Sequence, residues 1–293
     1  MRFFVLIFTV TFLWGLSFPA AKIGLRGVEP FTFLWLRGII SAASVFLIMF
    51  ARKMPVLPPR PSWRGESRDF WINACLHNLM FITYYHGVDH TTAGRASLFL
   101  YSQPLLLTAL AAWILPHERV GVRAVSGFIA ASLGMVFLFG DRLSSAGGST
   151  WYGDGVVVVA AVIWAVQSVF LKMRLRGFDA FRITAWTQIL AVLPFFVMAS
   201  FLGEPWPDLT DANVLTGVGY SGLIGTGLAM IPWLWLLTDY PASRVGVFMF
   251  LTPVFGVLTG ALLLAEPLTS LMLGGAVLIS SGIYFVNSES KKN

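Results

Sequence analysis

A chain of 293 residues that is 57% hydrophobic, 15% aromatic and only 12% charged has too few polar side chains to coat a soluble domain, which leaves a polytopic membrane protein. The net charge of +6 does not mark a nucleic-acid partner, because Lys and Arg fall between long apolar runs and not along one basic face. The single cysteine, Cys75, excludes an intramolecular disulfide and offers no metal-ligand spacing.

Counting about twenty predominantly apolar residues per crossing, the sequence predicts ten helices, near 3–24, 31–51, 70–88, 94–115, 121–140, 153–173, 180–202, 212–237, 243–265 and 268–287. Met1 and Arg2 ahead of an apolar run resemble a signal peptide, but the run reaches Ala21 without a small-residue cleavage site and reads as a retained first span. The second loop is aqueous, with Pro55, Pro58, Pro59 and Pro61 among Arg60, Arg64, Glu66, Arg68 and Asp69. Gly147-Gly148-Ser149 joins the halves, Pro205-Trp206-Pro207 closes span seven, and only Glu266-Pro267 divides spans nine and ten. With a cytoplasmic N-terminus, 15 of the 20 Lys and Arg fall on the inner side. Lys22, Arg26, Arg95 and Arg142 fall outside and Arg37 lies within span two, so both termini are expected in the cytoplasm.

The sequence reads as one unit written twice. Ala93, Arg95 and Pro104 find Ala242, Arg244 and Pro253 at an offset of 149, and Glu118 finds Glu266 at 148. Trp14 and Lys22 recur as Trp164 and Lys172 at 150, and Gly127 and Gly134 as Gly275 and Gly282 at 148. The expected fold is therefore an all-α polytopic membrane protein of ten transmembrane helices in two five-helix repeats, 1–143 and 151–293, joined by a loop at 144–150. An odd number of spans per unit inverts the second copy relative to the first. Inverted repeats place a site near the midplane, the arrangement of an alternating-access transporter with a central cavity between the repeats.

These motifs resemble those of the drug/metabolite transporter superfamily, and within it the ten-helix EamA-type exporters. The residues that carry the likeness are Trp14-Gly15 with Phe18-Pro19, Arg37, Thr92-Ala93-Gly94-Arg95-Ala96 running to Pro104 and Glu118-Arg119, and Ala242 running to Pro253 and Glu266-Pro267. The second copy departs from the pattern with Trp164-Ala165 where Trp-Gly is expected. The resemblance covers essentially the whole chain and implies export of small metabolites, amino acids or related compounds among them, across a bacterial inner membrane.

Polar groups at mid-span are costly in lipid and mark the interior or a water-filled path. In span three, His77 and Tyr84, and likewise Asn78 and Tyr85, are seven residues apart and share a helix face. Tyr101 and Gln103 lie at mid-depth in span four beside Pro104, and Thr252 beside Pro253 in span nine; each proline reads as a shape-giving kink, with exposure of the freed upstream carbonyl to substrate as the alternative. Trp14 and Trp164 lie mid-span, away from the interfaces where tryptophan anchors, and their indole N–H groups need partners there. Gln167 shares the Trp164 face, and Phe248 is a further lining candidate. The substrate-binding set is thus Trp14, His77, Asn78, Tyr84, Tyr101, Gln103, Trp164, Gln167 and Phe248, each with a packing role as the alternative. Aromatic residues in the set fit a hydrophobic or aromatic amino acid.

Trp233 and Trp235 read as interfacial belt residues, Gly222, Gly225 and Gly227 as points of close helix approach, and Glu118 and Glu266 as interfacial groups or pairs across the repeat. Arg37 reads as a snorkelling structural residue, with a substrate carboxylate as the alternative. His86, Asp89 and His90 lack the wider ligand set of a metal site, so neither a metal nor a cofactor is expected. A G-x-x-x-x-G-K-[ST] loop is missing, and with it support for ATP hydrolysis. No Asp or Glu falls at mid-span, so transport is expected to run downhill or to couple through His77. The partners are then a small-molecule substrate and the bilayer, with monomer and homodimer both open. The competing classes are an integral membrane enzyme, which H-E-x-x-H and G-x-S-x-G motifs do not support, and a ligand-binding receptor subunit on the same scaffold.

Overall fold

A computed structural model describes residues 1–57, 63–115, 118, 120–144 and 151–289. The expectations placed on Pro58, Pro59, Arg60 and Pro61, on Arg119, on the inter-repeat loop at 145–150 and on the lysines at 291 and 292 lie outside the described residues. All regular structure among the described residues is helical. In chain order the helices are α1 (Arg2–Gly24), α2 (Pro30–Ala51), α3 (Trp63–Val88), α4 (Ala93–Leu100), α5 (Gln103–Ile114), α6 (Val122–Ser144) and α7 (Trp151–Arg174). They continue with α8 (Ala180–Phe201), α9 (Ala212–Tyr220), a π-helical segment (Ser221–Leu228), α10 (Met230–Asp239), α11 (Ala242–Phe248), α12 (Leu251–Leu264) and α13 (Ser270–Glu289).

Nine helical stretches among the described residues are long and apolar enough to cross a membrane. Three of them are composite: α4 with α5, α9 through α10, and α11 with α12. The span expected at 70–88 forms as part of α3, a helix of 26 residues, but Asn73, His77, Asn78 and His86 leave it short of that apolar standard.

The proline-bearing spans are interrupted as the sequence indicates, though by a different mechanism. The chain turns at Tyr101-Ser102 and again at Met249-Phe250. Pro104 and Pro253 fall in the first turn of α5 and α12, where an amide has no intrahelical acceptor and a proline therefore costs nothing. The turn amides bond one turn back, Ser102 N to Phe99 O at 3.1 Å and Phe250 N to Val247 O at 3.3 Å. Each proline restarts a helix and does not kink a continuous one.

The chain groups into two compact units, each combining early and late segments: Met1–Asn78 with Phe170–Leu236, and Leu79–Val169 with Leu237–Asn293. In the first unit α2 runs antiparallel to α8, with the Trp35 ring edge-on to Phe196 at 5.8 Å near one end and Arg52 over the Phe181 ring at 5.6 Å near the other. Lacking a side-chain cap of its own, α2 has its first free amides, Phe31 N and Thr32 N, bound by Glu204 at 3.0 and 2.6 Å. Near the start of α8, Arg182 and Trp186 donate to the carbonyls of Pro55 and Val56, each at 3.1 Å. Asp179 and Asp211 cap α8 and α9 through Phe181 N and Asn213 N.

In the second unit α6 and α13 cross at the repeated glycines themselves. A Cβ added at Gly127 would lie 2.6 Å from the Gly282 carbonyl oxygen, and one at Gly134 would lie 2.7 Å from that of Gly275. The two backbones touch at both levels, the close approach that small residues permit between membrane helices.

Candidate functional site

In the second unit the two helix interruptions meet. Gly246 of α11 packs on α5, where an added Cβ would lie 3.5 Å from the Pro104 carbonyl oxygen. Tyr101, in the first turn, is buried beside the Thr252 hydroxyl, which follows the second turn, and beside Tyr84 of α3. The Tyr84 ring meets Tyr85 edge-on at 5.3 Å. Gln103, the first residue of α5, is wholly buried. Its amide nitrogen reaches Ser168 Oγ at 3.4 Å, and Ser168 in turn donates to the Trp164 carbonyl at 2.9 Å. The Gln103 carbonyl oxygen has no partner. The cluster is uncharged, walled by tyrosine rings, and carries a buried acceptor that needs a donor.

Of the nine candidate residues, the structure brings together Tyr84, Tyr101 and Gln103, with Trp164 reached through Ser168. Gln167 is buried on α7 next to Ser168, and Phe248 is buried in α11. Trp14, His77 and Asn78 belong to the first unit. There the Trp14 indole donates to the Gly225 carbonyl at 2.8 Å, inside the π-helical segment, which gives the mid-span N–H its partner. Its ring lies 5.3 Å from that of Trp233. Trp233 is 2% exposed, so the belt reading fails for it: a residue packed against Trp14 inside a unit anchors no interface. Trp235 is half-buried with its ring edge-on to Phe181 at 6.4 Å. His77 and Asn78 are both buried, with the His77 ring 6.5 Å from Phe195 and the Asn78 carbonyl oxygen without a partner.

Ser168 and Asp154 were missed from the sequence. Arg95 and Thr91 converge on Asp154 in the first turn of α7, Arg95 through a forked ion pair and Thr91 at 2.7 Å. Thr92 caps α4 through Arg95 N. An acid at the head of one span and an arginine at the head of another were the available signals; only the fold pairs them. Glu118 also has a definite role, since its carboxylate accepts from Ala242 N at 2.7 Å and so caps α11. His86 bonds the Tyr152 hydroxyl at 3.0 Å and His90 the His86 carbonyl at 2.9 Å. No group of three or more His, Cys, Asp or Glu side chains among the described residues is placed to hold a metal ion.

Long apolar helices that keep buried, uncharged polar groups at interrupted crossings define an integral membrane protein of the transporter class. The EamA-like transporter family matches residues 1–140 and 151–288, and the chain belongs to that family. It is 30% identical to an uncharacterized transporter of Archaeoglobus fulgidus over 97% of this chain and 98% of that one. It is 28% identical to a probable amino-acid metabolite efflux pump of Salmonella typhimurium, covering 94% of this chain and 91% of the other. A protein of known crystal structure, 23% identical, superposes with a TM-score of 0.84 over 98% of this chain and 97% of its own, and so shares the fold.

Proposed function

We propose that this transporter exports small metabolites, amino acids or closely related compounds and hydrophobic or aromatic ones in particular, by alternating access. The observation that carries the reading is the meeting of Tyr84, Tyr101, Gln103 and Thr252 at two helix interruptions, with the Gln103 oxygen left for a ligand's N–H or O–H group. The name of the Salmonella typhimurium relative supports the substrate class.

The glycine crossing supports the inverted repeat. Exchanging the copies at the offset of 148 turns Gly127 into Gly275 and Gly282 into Gly134, so one contact becomes the other. Two copies related by a twofold axis behave in this way. In the same reading residues 70–88 of α3 are the tenth crossing, its polar side chains turned to protein, as Asn73 is by donating to Thr187 at 2.6 Å. In this reading the protein lies in the inner membrane, and the excess of Lys and Arg on one side supports cytoplasmic termini.

Proteoliposomes loaded with labelled amino acids test this. Flux above empty vesicles is expected for at least one aromatic or aliphatic amino acid, and Gln103→Leu and Tyr101→Phe should lower it about tenfold at equal insertion. Absence of flux across the whole panel sinks the proposal.

A further inference from the structure

The first unit holds a second group of polar side chains, buried or half-buried, that the tyrosine cluster does not include. Arg37 and Ser41 stand one turn apart on one face of α2. The π-helical segment packs on that face, since a Cβ at Gly222 would lie 2.8 Å from the Arg37 carbonyl oxygen and one at Gly227 3.4 Å from Ser41 Oγ. On the α8 side, a Cβ at Gly38 would lie 3.5 Å from the Gln188 carbonyl oxygen.

Three groups here are buried with no hydrogen-bond partner: Ser41 Oγ, Ser221 Oγ and Gln188 Nε2, in residues that are 0%, 3% and 2% exposed. Unsatisfied polar groups at membrane depth are rare because neither lipid nor bulk water relieves them. All three can donate, and Arg37 adds a positive charge. Among the acids of this unit whose contacts are described, Glu204 binds the α2 amides, Asp179 and Asp211 cap α8 and α9, Asp208 bonds Thr210 ahead of α9, and Asp69 of α3 pairs with Arg174 at 3.1 Å. The group is rich in donors and positive.

We propose that Arg37, Gln188, Ser41 and Ser221 form an anion subsite that takes the carboxylate of the transported molecule. The inference rests on the export reading above and narrows it to organic carboxylates. Arg37 supplies charge, and the amide and hydroxyls bond the carboxylate oxygens that the guanidinium leaves uncovered. Three elements that pack on one another, α2, α8 and the π-helical segment, supply these groups.

The purified full-length protein is melted in detergent with L-phenylalanine, 3-phenylpropionate, L-phenylalaninamide or sodium chloride at matched ionic strength. The two carboxylates are expected to raise the melting temperature; the amide and chloride are not. Arg37→Gln should weaken the apparent affinity roughly ten- to hundredfold, and Arg37→Lys less. If Arg37→Gln does not fold, Gln188→Leu and Ser41→Ala keep the charge and should each weaken it severalfold. A wild-type protein indifferent to both carboxylates, equally responsive to acid and amide, or equally responsive to chloride overturns the subsite, as do variants that bind like wild type. Carboxylate-selective binding without vesicle flux would retain the subsite and reject export. Flux indifferent to the carboxylate would retain export and reject the subsite.

Discussion

Single residues in this protein mostly act by closing open hydrogen-bonding groups. Glu118 binds the free amide of Ala242 from 124 positions away in sequence, a bond of the kind that contributes about 1 kcal/mol when a helix N-terminus is capped. Glu118→Ala is therefore expected to lower the melting temperature of the purified protein, whereas Glu118→Gln, which keeps an acceptor, recovers most of the loss. An equal loss in both variants would assign the effect to charge. The sequence reveals the Glu118 and Glu266 pair through its spacing, but the capping role depends on a tertiary contact that spacing does not encode. The same holds for Asp154, whose partner Arg95 lies on another helix, and for Trp233. Its place near the end of an apolar run pointed to the membrane surface; burial against Trp14 comes from packing between helices that are distant in sequence.

Elements were more legible than residues, because hydropathy and glycine spacing are themselves helical signals. The run of apolar residues places nine crossings, and only α3 departs, since the buried Asn73, His77 and Asn78 and the exposed His86 lower hydropathy without shortening the helix. The prolines mark the correct spans, but the turns fall two to four residues upstream, because Pro104 and Pro253 sit in the first turn of a new helix, where no amide is needed. The π-helical segment was not readable: Gly222, Gly225 and Gly227 announce close approach and say nothing of the bonding pattern. For the α6 and α13 crossing, Gly134→Leu should abolish a monodisperse peak in size-exclusion chromatography, because its Cβ alone would meet the Gly275 carbonyl at 2.7 Å. Gly155→Ala, with nothing within 4 Å of the added carbon, serves as the tolerated control. Equal behaviour of the two variants would show that the crossing does not hold the helices.

For the whole molecule the strongest sequence signal is the asymmetry of positive charge, and it predicts topology directly. In a Cys75→Ser background, a cysteine replacing Asp208 between α8 and α9 should react with an impermeant maleimide in intact cells. One replacing Arg176, between α7 and α8, should react only after permeabilisation. Both positions are exposed, so the reverse pattern would assign both termini to the far side of the membrane. Substrate class is less legible at this scale than topology, since a chain that is 15% aromatic lines any interior with rings, and the repeat constrains architecture far more than it constrains ligand chemistry.

The π-helical segment between α9 and α10 has a mechanical consequence. Its bonds run from residue i to i+5, so it holds surplus chain relative to an α-helix. Passing one residue of that surplus along the segment would turn α10 by about 100° and shift it by about 1.5 Å against α9. Backbone bonds would be exchanged, not lost. The Trp14 indole is tied to Gly225 inside the segment and its ring rests against Trp233 just beyond it, so such a step would strain or break one of the two contacts. In a variant that keeps only Trp14 and Trp233, their emission becomes a gauge of helical register, readable while a substrate is titrated in.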